Sequence, residues 1–315
     1  MTRQPHDQFA KQYLAELLAP LGEVNVSREI SGEVRQIDVW FAPTSPPTAE
    51  QQILGLLGKI VTTPCLLEPF RNQPSKTEIR NCILKLFSLQ SELQRQGRRE
   101  EDPVTENELP QLWILATSVS ANLLDSFRFT LDPDRWCPGV YFLGEAMKTA
   151  IVAINQLPIT PDTLWLRILG KGKTQQQAIA EIIALPETNT LRTNILALVS
   201  TWRINLQTKQ DLTEEDRELI MNLTPAYIQW REETLLQGRQ EGRQEGRQEG
   251  RQEGRFEERR ILVENLLIAK FGSIDRALLA IIQPILELPP QELTRILLEL
   301  DRENLLTRFE NRENQ

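Results

Sequence analysis

The sequence predicts an α/β protein: a mixed sheet flanked by helices, followed by a helical extension and a small all-α C-terminal domain. Three observations lead to this class. Strand-like and helix-like apolar patterns alternate in the first half of the chain, whereas only helix-like patterns follow residue 174. Four copies of Gly-Arg-Gln-Glu, beginning at Gly238, then interrupt the helical part. Several short apolar-faced segments complete the chain. Strands mixed with helices and then helices alone are typical of an α/β domain with a helical extension.

The first half of the chain supplies the sheet and the helices that flank it. Apolar residues at helical spacing predict helices, and runs of apolar or alternating residues between turn signals predict strands. The predicted helices are 7–21, 50–61, 76–94 and 122–127, and the predicted strands are 23–30, 33–41, 64–70, 112–116, 140–143 and 150–154. Ser31-Gly32 is a hairpin signal between the first two strands, and the polar segment 95–107 is predicted to be a loop.

The second half of the chain is predicted to be helical. The pattern indicates helices at 174–185, 191–206 and 214–223, and Thr224-Pro225 predicts a new helix, with Thr as its cap and Pro at its first position. Four further helices are expected after residue 258, with stop signals at Gly272 and Pro289-Pro290. We therefore expect an α/β domain at 1–207, a helical linker with the repeats at 208–255, and a helical domain at 256–315.

Composition excludes several classes of function. The net charge is −8 and no segment forms a basic domain, so avid non-specific nucleic-acid binding is not expected, although a local cationic cleft stays possible. His6 is the one histidine, and Cys65, Cys82 and Cys137 are scattered, which disfavours zinc clusters and histidine-based catalysis. The sequence shows neither a signal peptide nor the roughly 18 apolar residues of a membrane span. These features predict a cytoplasmic protein without a membrane partner.

The Gly-Arg-Gln-Glu repeat is a poor helix former. Each glycine costs about 1 kcal/mol against alanine, and identical charges are stacked four residues apart. One interpretation is a spacer of variable length that is partly helical. The other is an oligomerising segment, because a stripe of glycines lets a second helix approach closely. We predict a homo-oligomer formed through residues 213–271.

Two carboxylates lie in apolar segments, where burying a charge costs free energy. Asp38 lies in an apolar strand, and Glu68 closes the apolar run that begins at Cys65. Such groups need an ionic partner or a bound cation. Carboxylates from adjacent strand ends form the kind of oxygen site that suits Mg²⁺.

The alternative to a metal site is a set of structural ion pairs. Asp38 has Arg28 or Arg35 as a candidate partner, and Glu68 has Arg71. Glu33 is either an auxiliary metal ligand or a solvated residue near a turn.

The order of these features resembles the PD-(D/E)XK nuclease fold, in which a helix, a hairpin carrying Asp, a strand carrying Glu-x-Lys and a second helix follow one another. More narrowly, residues 6–11 (His-Asp-Gln-Phe-Ala-Lys) resemble the N-terminal His-Asp-x-x-Phe-Lys element of the Rpn-type recombination-promoting nuclease and transposase family. The glycine repeat and a C-terminal helical domain of unknown function also fit that family. The resemblance implies a restriction-endonuclease-like sheet and a Mg²⁺-dependent DNA endonuclease, with Asp38 and Glu68 as catalytic metal ligands.

The sequence departs from this pattern after Glu68. Pro69 and Phe70 follow it, so the lysine of Glu-x-Lys is absent. Arg71, Arg80 or Lys85 could replace that lysine from the loop or the next helix, although a lysine on a helix usually faces solvent. The alternative function is a catalytically inactive relative that acts as an oligomeric scaffold. The two hypotheses differ in whether the carboxylates converge beside a cationic side chain.

One more motif concerns phosphate. Residues 170–174 (Gly-Lys-Gly-Lys-Thr) superficially resemble a phosphate-binding loop, but they lack its spacing and follow a predicted helix instead of a strand. We expect a helix stop followed by a cap, with two lysines that are able to contact a nucleic-acid backbone.

Overall fold

The computed structural model describes residues 5–29, 36–44, 48–208 and 211–310. Ser31-Gly32, Glu33 and Arg35 lie outside these ranges. The chain is an α/β protein that divides into two compact units, Met1–Glu233 and Thr234–Gln315.

The described part of the first unit contains a seven-stranded mixed sheet. The strands are β1 (Gly22–Glu29), β2 (Gln36–Pro43), β3 (Cys65–Phe70), β4 (Gln111–Ala116), β5 (Thr130–Leu131), β6 (Val140–Phe142) and β7 (Thr149–Ala153). Their order in the sheet is β1-β2-β3-β4-β7-β6-β5. The central strands β3, β4 and β7 are parallel to one another, and the outer pairs are antiparallel. Each strand predicted from the sequence is present, and β5 is an addition too short to be recognised from its pattern.

Helices cover both faces of the sheet. They are α1 (Pro5–Leu18), α2 (Ala49–Ile53), α3 (Leu56–Ile60), α4 (Lys76–Arg99), α5 (Ala121–Phe127), α6 (Leu164–Arg167), α7 (Lys173–Ala184) and α8 (Thr190–Gln207). One core lies between the sheet and α1 with α6–α8, and includes Phe9, Leu67 and Trp113. The other core lies between the sheet and α4, and includes Leu66 and Leu86.

Two helix predictions in the first half of the chain need correction. The expected helix 50–61 is divided at Gly55, whose φ is +52° and whose added Cβ would lie 2.4 Å from the Asp162 backbone. Close approach of that backbone therefore interrupts the helix. Helix α4 continues to Arg99 and takes up the start of the predicted loop 95–107. Ser75 and Glu78 form a reciprocal cap at its beginning, as its sharp start at residue 76 requires.

The longest helix, α9 (Glu214–Phe271), runs without interruption through Pro225 and the repeat. The prediction of a new helix at Thr224-Pro225 is wrong. The hydroxyl of Thr224 donates to the Ile220 carbonyl at 2.7 Å, so the chain stays helical before the proline.

The beginning of α9 belongs to the first unit. Leu219 and Leu223 lie in the core of that unit, and Arg192 forms a 2.6 Å ion pair with Glu233. Residues 214–233 therefore pack with the α/β unit, although 208–255 was expected to be a linker.

The second unit is helical, as predicted. Helices α10 (Arg276–Leu286), α11 (Pro290–Glu299) and α12 (Arg302–Glu310) pack with the end of α9 around a core that includes Val263, Ile285 and Leu305. Within the described ranges of the chain, no helix has both the length and the apolar character that crossing a membrane requires.

Candidate active site

Strands β2 and β3 separate at Asp38 and Glu68. Their pairing runs from Phe41 opposite Cys65 to Val39 opposite Leu67, and Asp38 and Glu68 would form the next pair. Instead, the backbone N–H of Asp38 donates to Oε1 of Glu68 at 3.3 Å. The structure thus places the Glu68 carboxylate against the backbone of Asp38, at the point where the ladder ends.

The side chains of β2 stop alternating regularly between the two faces of the sheet at Asp38. Ile37 packs in the core on the α4 side, whereas Val39 packs in the core on the α1 side. In a regular strand, residues two apart share one face. On β1, Ser27 lies between the residues paired with Ile37 and Val39 and has a φ of 59°. Asp38 can therefore be reached from the α1 layer.

Lys11 of α1 holds Asp38 in place. Its Nζ lies 2.6 Å from Oδ1 of Asp38 and 3.0 Å from Oδ2 of Asp7, and its side chain is only 10% exposed. Burial lowers the pKa of Lys11, but the hydrogen bonds and charges of Asp38 and Asp7 outweigh burial and raise it. This lysine is therefore fixed in its charged form.

Glu68 is buried on the α4 side of the sheet. Its side chain is 1% exposed, and Lys85 Nζ lies 2.7 Å from its Oε2. The Cys82 thiol also donates to Oε2, at 3.8 Å. Burial, followed by the charge of Asp38, raises the pKa of Glu68 from 4.5 to about 7, although Lys85 opposes this shift. The charge of Glu68 in turn raises the pKa of Lys85, against the effect of burial.

The arginines considered at the sequence level lie elsewhere. Arg71 donates to the Gly170 carbonyl at 2.9 Å, and Arg80 bonds to Lys76 and Thr77 of its own helix. Arg28 lies over the ring of Trp40, 5.0 Å from its centroid, rather than beside Asp38. Of the three candidates for the missing lysine, Lys85 is the one whose contact with Glu68 the structure records.

Lys11 was not predicted to be a site residue, although it lies in the His-Asp-Gln-Phe-Ala-Lys motif at residues 6–11. The available signal was its place on α1, where Lys11, Leu14 and Leu18 recur at the spacing of one helix face. A lysine on the apolar face of a helix needs a buried anionic partner.

The residues at this point fit a magnesium ion in their chemistry. Mg²⁺ is usually held by one or two carboxylates and keeps several waters. Among the described residues no group of three or more His, Cys, Asp or Glu side chains is placed to hold a metal, so the protein ligands would be Asp38 and Glu68 alone. Ser27, which lies opposite Asp38 on β1, has a buried hydroxyl without a hydrogen-bond partner among the described residues. That hydroxyl could bond to a water of the ion.

Comparisons of the chain with protein-family models, curated proteins and solved structures gave no match. Any assignment of function therefore depends on the geometry of the site.

Proposed function

We propose that this chain is a Mg²⁺-dependent endonuclease that hydrolyses phosphodiester bonds of DNA, with a first unit of the restriction-endonuclease-like type. One observation carries the proposal. Asp38 and Glu68 meet where β2 and β3 separate, and Lys85 Nζ lies 2.7 Å from Glu68. This arrangement agrees with the resemblance to PD-(D/E)XK and Rpn-type nucleases, except that the lysine comes from α4 instead of β3.

Each side chain has a separate role in this proposal. Asp38 and Glu68 would hold the metal, and bound Mg²⁺ would supply an activated water and neutralise charge on the phosphate. Lys85 orients Glu68 and provides positive charge for a phosphate oxygen. Lys11 keeps Asp38 in position and does not contact the substrate. Hydrolysis adds the water oxygen to phosphorus and breaks the bond from phosphorus to a deoxyribose oxygen, which leaves with a proton.

The test is Mg²⁺-dependent nicking of supercoiled plasmid DNA by the wild type and by four variants, Asp38→Asn, Glu68→Gln, Lys85→Met and Lys85→Arg. We expect each carboxylate substitution to reduce the rate by more than about 10²-fold, as loss of one key electrostatic group does. Lys85→Arg should retain more activity than Lys85→Met because it keeps the charge.

Glu181→Gln is the matched control. Its carboxylate also pairs with a buried cation, Arg167, at 2.6 Å, but it lies in α7. Nicking by this variant should equal that of the wild type. If nicking by the wild type persists unchanged in both Asp38→Asn and Glu68→Gln, the site assignment is wrong.

A second candidate function is an inactive relative that serves as a scaffold. The observation that favours it is that each carboxylate already has a lysine partner. In that case the wild type does not nick DNA and the substitutions affect stability alone. Removing one partner of a buried ion pair usually lowers the free energy of unfolding by about 3–5 kcal/mol. Asp38→Asn should lower it by less, because Lys11 still pairs with Asp7.

We also propose that the protein works in the cytoplasm. Cys65, Cys82 and Cys137 are all free thiols, and burial raises the pKa of each. A reducing compartment suits thiols of this kind.

A further inference from the structure

The loops that follow the parallel strands meet at one edge of the sheet. The hydroxyl of Thr117, after β4, donates to the carbonyl of Arg71, after β3, at 2.7 Å. The backbone N–H of Asn155, after β7, donates to the Thr117 carbonyl at 3.0 Å. In open α/β sheets ligands bind at the carboxyl ends of the strands, which is this edge.

Two cationic side chains lie at this edge, and the beginning of α9 supplies anions to them. Lys171 Nζ lies 2.6 Å from Oε1 of Glu215 and 3.3 Å from Oδ1 of Asn72. The Arg71 guanidinium bonds to the Gly170 carbonyl and interacts electrostatically with Glu215 and the neighbouring acidic residues of α9. We call Arg71, Lys171 and the first turn of α7 the cationic edge.

The N-terminus of α7 adds to this charge. Gly172 precedes the helix with a φ of +60°, no side chain caps the helix, and its first turn contains no acidic residue. The nearest atom to a Cβ added at Gly172 would be Oε1 of Glu218, at 3.6 Å. Free N–H groups and the helix dipole attract anions at such a terminus. The Glu218 carboxylate of α9 therefore lies near the start of α7.

Side-chain amides of α7 and α9 are only partly hydrogen bonded, and the Gln175 amide donates to the Ile168 carbonyl at 3.0 Å. Gln176 donates to Oδ1 of Asn222 at 2.7 Å. However, Oε1 of Gln175 and Nδ2 of Asn222 are buried without a hydrogen-bond partner in the described part of the chain. Gln175 belongs to the first turn of α7 and is fully buried. Unsatisfied buried polar atoms cost free energy. The Nδ2 donor of Asn222 would be satisfied by a water or phosphate oxygen, whereas the Oε1 acceptor of Gln175 needs a donor such as water.

We propose that the cationic edge binds the phosphodiester backbone of DNA and that the acidic beginning of α9 competes for it with its own carboxylates. The identity of the ligand rests on the proposed nuclease function. A phosphate oxygen would accept the bond that Glu215 now accepts from Lys171, and it would also attract Arg71 and the N–H groups at the start of α7. Arg71 follows Glu68 by three residues, so the surface begins roughly 10 Å from the candidate site.

The test measures binding without cleavage. A short fluorescent DNA duplex is titrated in EDTA with the full-length wild type and with Glu215→Gln/Glu218→Gln. We expect the double variant to bind about tenfold more tightly, and its affinity to fall more steeply with salt, because more phosphates are contacted. Adding Lys171→Met to the double variant should abolish this gain.

The matched control is Glu100→Gln/Glu232→Gln, which removes the same charge at two exposed positions away from the edge. An equal gain in this control would show a general charge effect and overturn the proposal. Unchanged affinity in Glu215→Gln/Glu218→Gln would overturn it as well.

Plasmid nicking is a separate readout. Tighter binding without nicking refutes the nuclease alone, and nicking with unaltered binding refutes the cationic edge alone.

Discussion

Glu68 is the residue at which burial and charge oppose each other most directly. Burial and the nearby Asp38 favour its neutral form, whereas Lys85 favours its charged form, and the balance raises the pKa of Glu68 to about 7. At neutral pH the folded protein therefore holds a proton on Glu68 for part of the time. An unfolded chain releases that proton near pH 4.5. The site thus makes the stability of the fold depend on pH.

This dependence gives a prediction about Glu68→Gln. Between pH 4.5 and about 7 the folded state binds more protons than the unfolded state, so the stability of the wild type should fall as pH rises across this interval. The pKa shift corresponds to about 3 kcal/mol at most. Glu68→Gln removes this contribution. Urea denaturation of the metal-free proteins across the interval should show a flatter profile for the variant, and identical profiles would contradict the assigned shift.

The sequence identified some residues of the site and missed others for physical reasons. Asp38 and Glu68 could be recognised because a carboxylate in an apolar strand requires a partner. The partners themselves depend on how helices lie against the sheet, which local sequence does not specify. Lys85 was therefore one candidate among several, and Lys11 was not recognised as the ion-pair partner of Asp38. Arg28 was a reasonable partner by proximity in sequence, but it stacks on Trp40.

At the scale of elements, segments were predicted better than their ends. Apolar periodicity identified the strands and most helices, because burial of one face fixes that pattern. Whether a helix is interrupted depends on tertiary contacts and on how helical the flanking segments are. Gly55 ends a helix because the Asp162 backbone is close, whereas Pro225 and the repeat glycines do not end one. Gly272 does end α9 as predicted, with a φ of +85°, although a Cβ added there would meet nothing within 4 Å. Glycine and proline alone therefore do not decide where a helix ends.

The helical repeat gives a second prediction. Gly238, Gly242, Gly246, Gly250 and Gly254 each have open space where a Cβ would lie. If the repeat is a spacer, replacing all five with alanine should stabilise this part of α9 by about 1 kcal/mol per site. Amide hydrogen exchange in the repeat should slow accordingly. Gly58→Ala is the opposing control, because its Cβ would lie 1.9 Å from the Gln51 carbonyl and should destabilise the fold.

The same experiment separates the two interpretations of the repeat. A spacer would tolerate alanine, and its amides would be better protected from hydrogen exchange. An oligomerising segment that uses glycine for close approach of helices would instead lose protection or dissociate. Faster exchange in the alanine variant would therefore exclude the spacer interpretation.

At the scale of the whole molecule, the class of fold was predictable but the connections were not. The alternation of strands and helices indicated an α/β unit followed by helices. The parallel arrangement of β3, β4 and β7 is set by pairing between distant segments, and no local pattern encodes it. The boundary of the first unit also differs from the expected residue 207, because Leu219 and Leu223 reach into its core.

Exposed apolar side chains accumulate on α9 beyond the first unit. Leu235 and Leu236 precede the repeat and are 51% and 58% exposed, and Phe256 and Leu262 follow it at 42% and 54%. Five glycines make an isolated helix here costly, by about 5 kcal/mol against alanine. Burial of these side chains against a second copy would offset that cost. We therefore keep the prediction of self-association through 213–271 and narrow it to 234–271.

The arrangement of charges predicts how two copies align. Around the helix, Glu lies about 60° to one side of the glycine stripe and Arg about 100° to the other. The stripe drifts about 40° per four-residue repeat. Where the glycines of one copy face those of a second, a parallel pair puts Glu opposite Arg, whereas an antiparallel pair places like charges together. We therefore expect a parallel oligomer.

Light scattering of the full-length chain and of residues 1–233 tests the association. The shorter chain keeps Glu233, the partner of Arg192, so its first unit should stay folded. It should be monomeric at micromolar concentration, and the full-length chain should not be.

Gly238→Cys tests the alignment, because a parallel pair brings the two thiols together and allows an interchain disulfide. An antiparallel pair in the same register would separate them by about 24 Å, the rise from residue 238 to 254. A monomeric full-length chain would refute the association, and an oligomer without the disulfide would refute its parallel form.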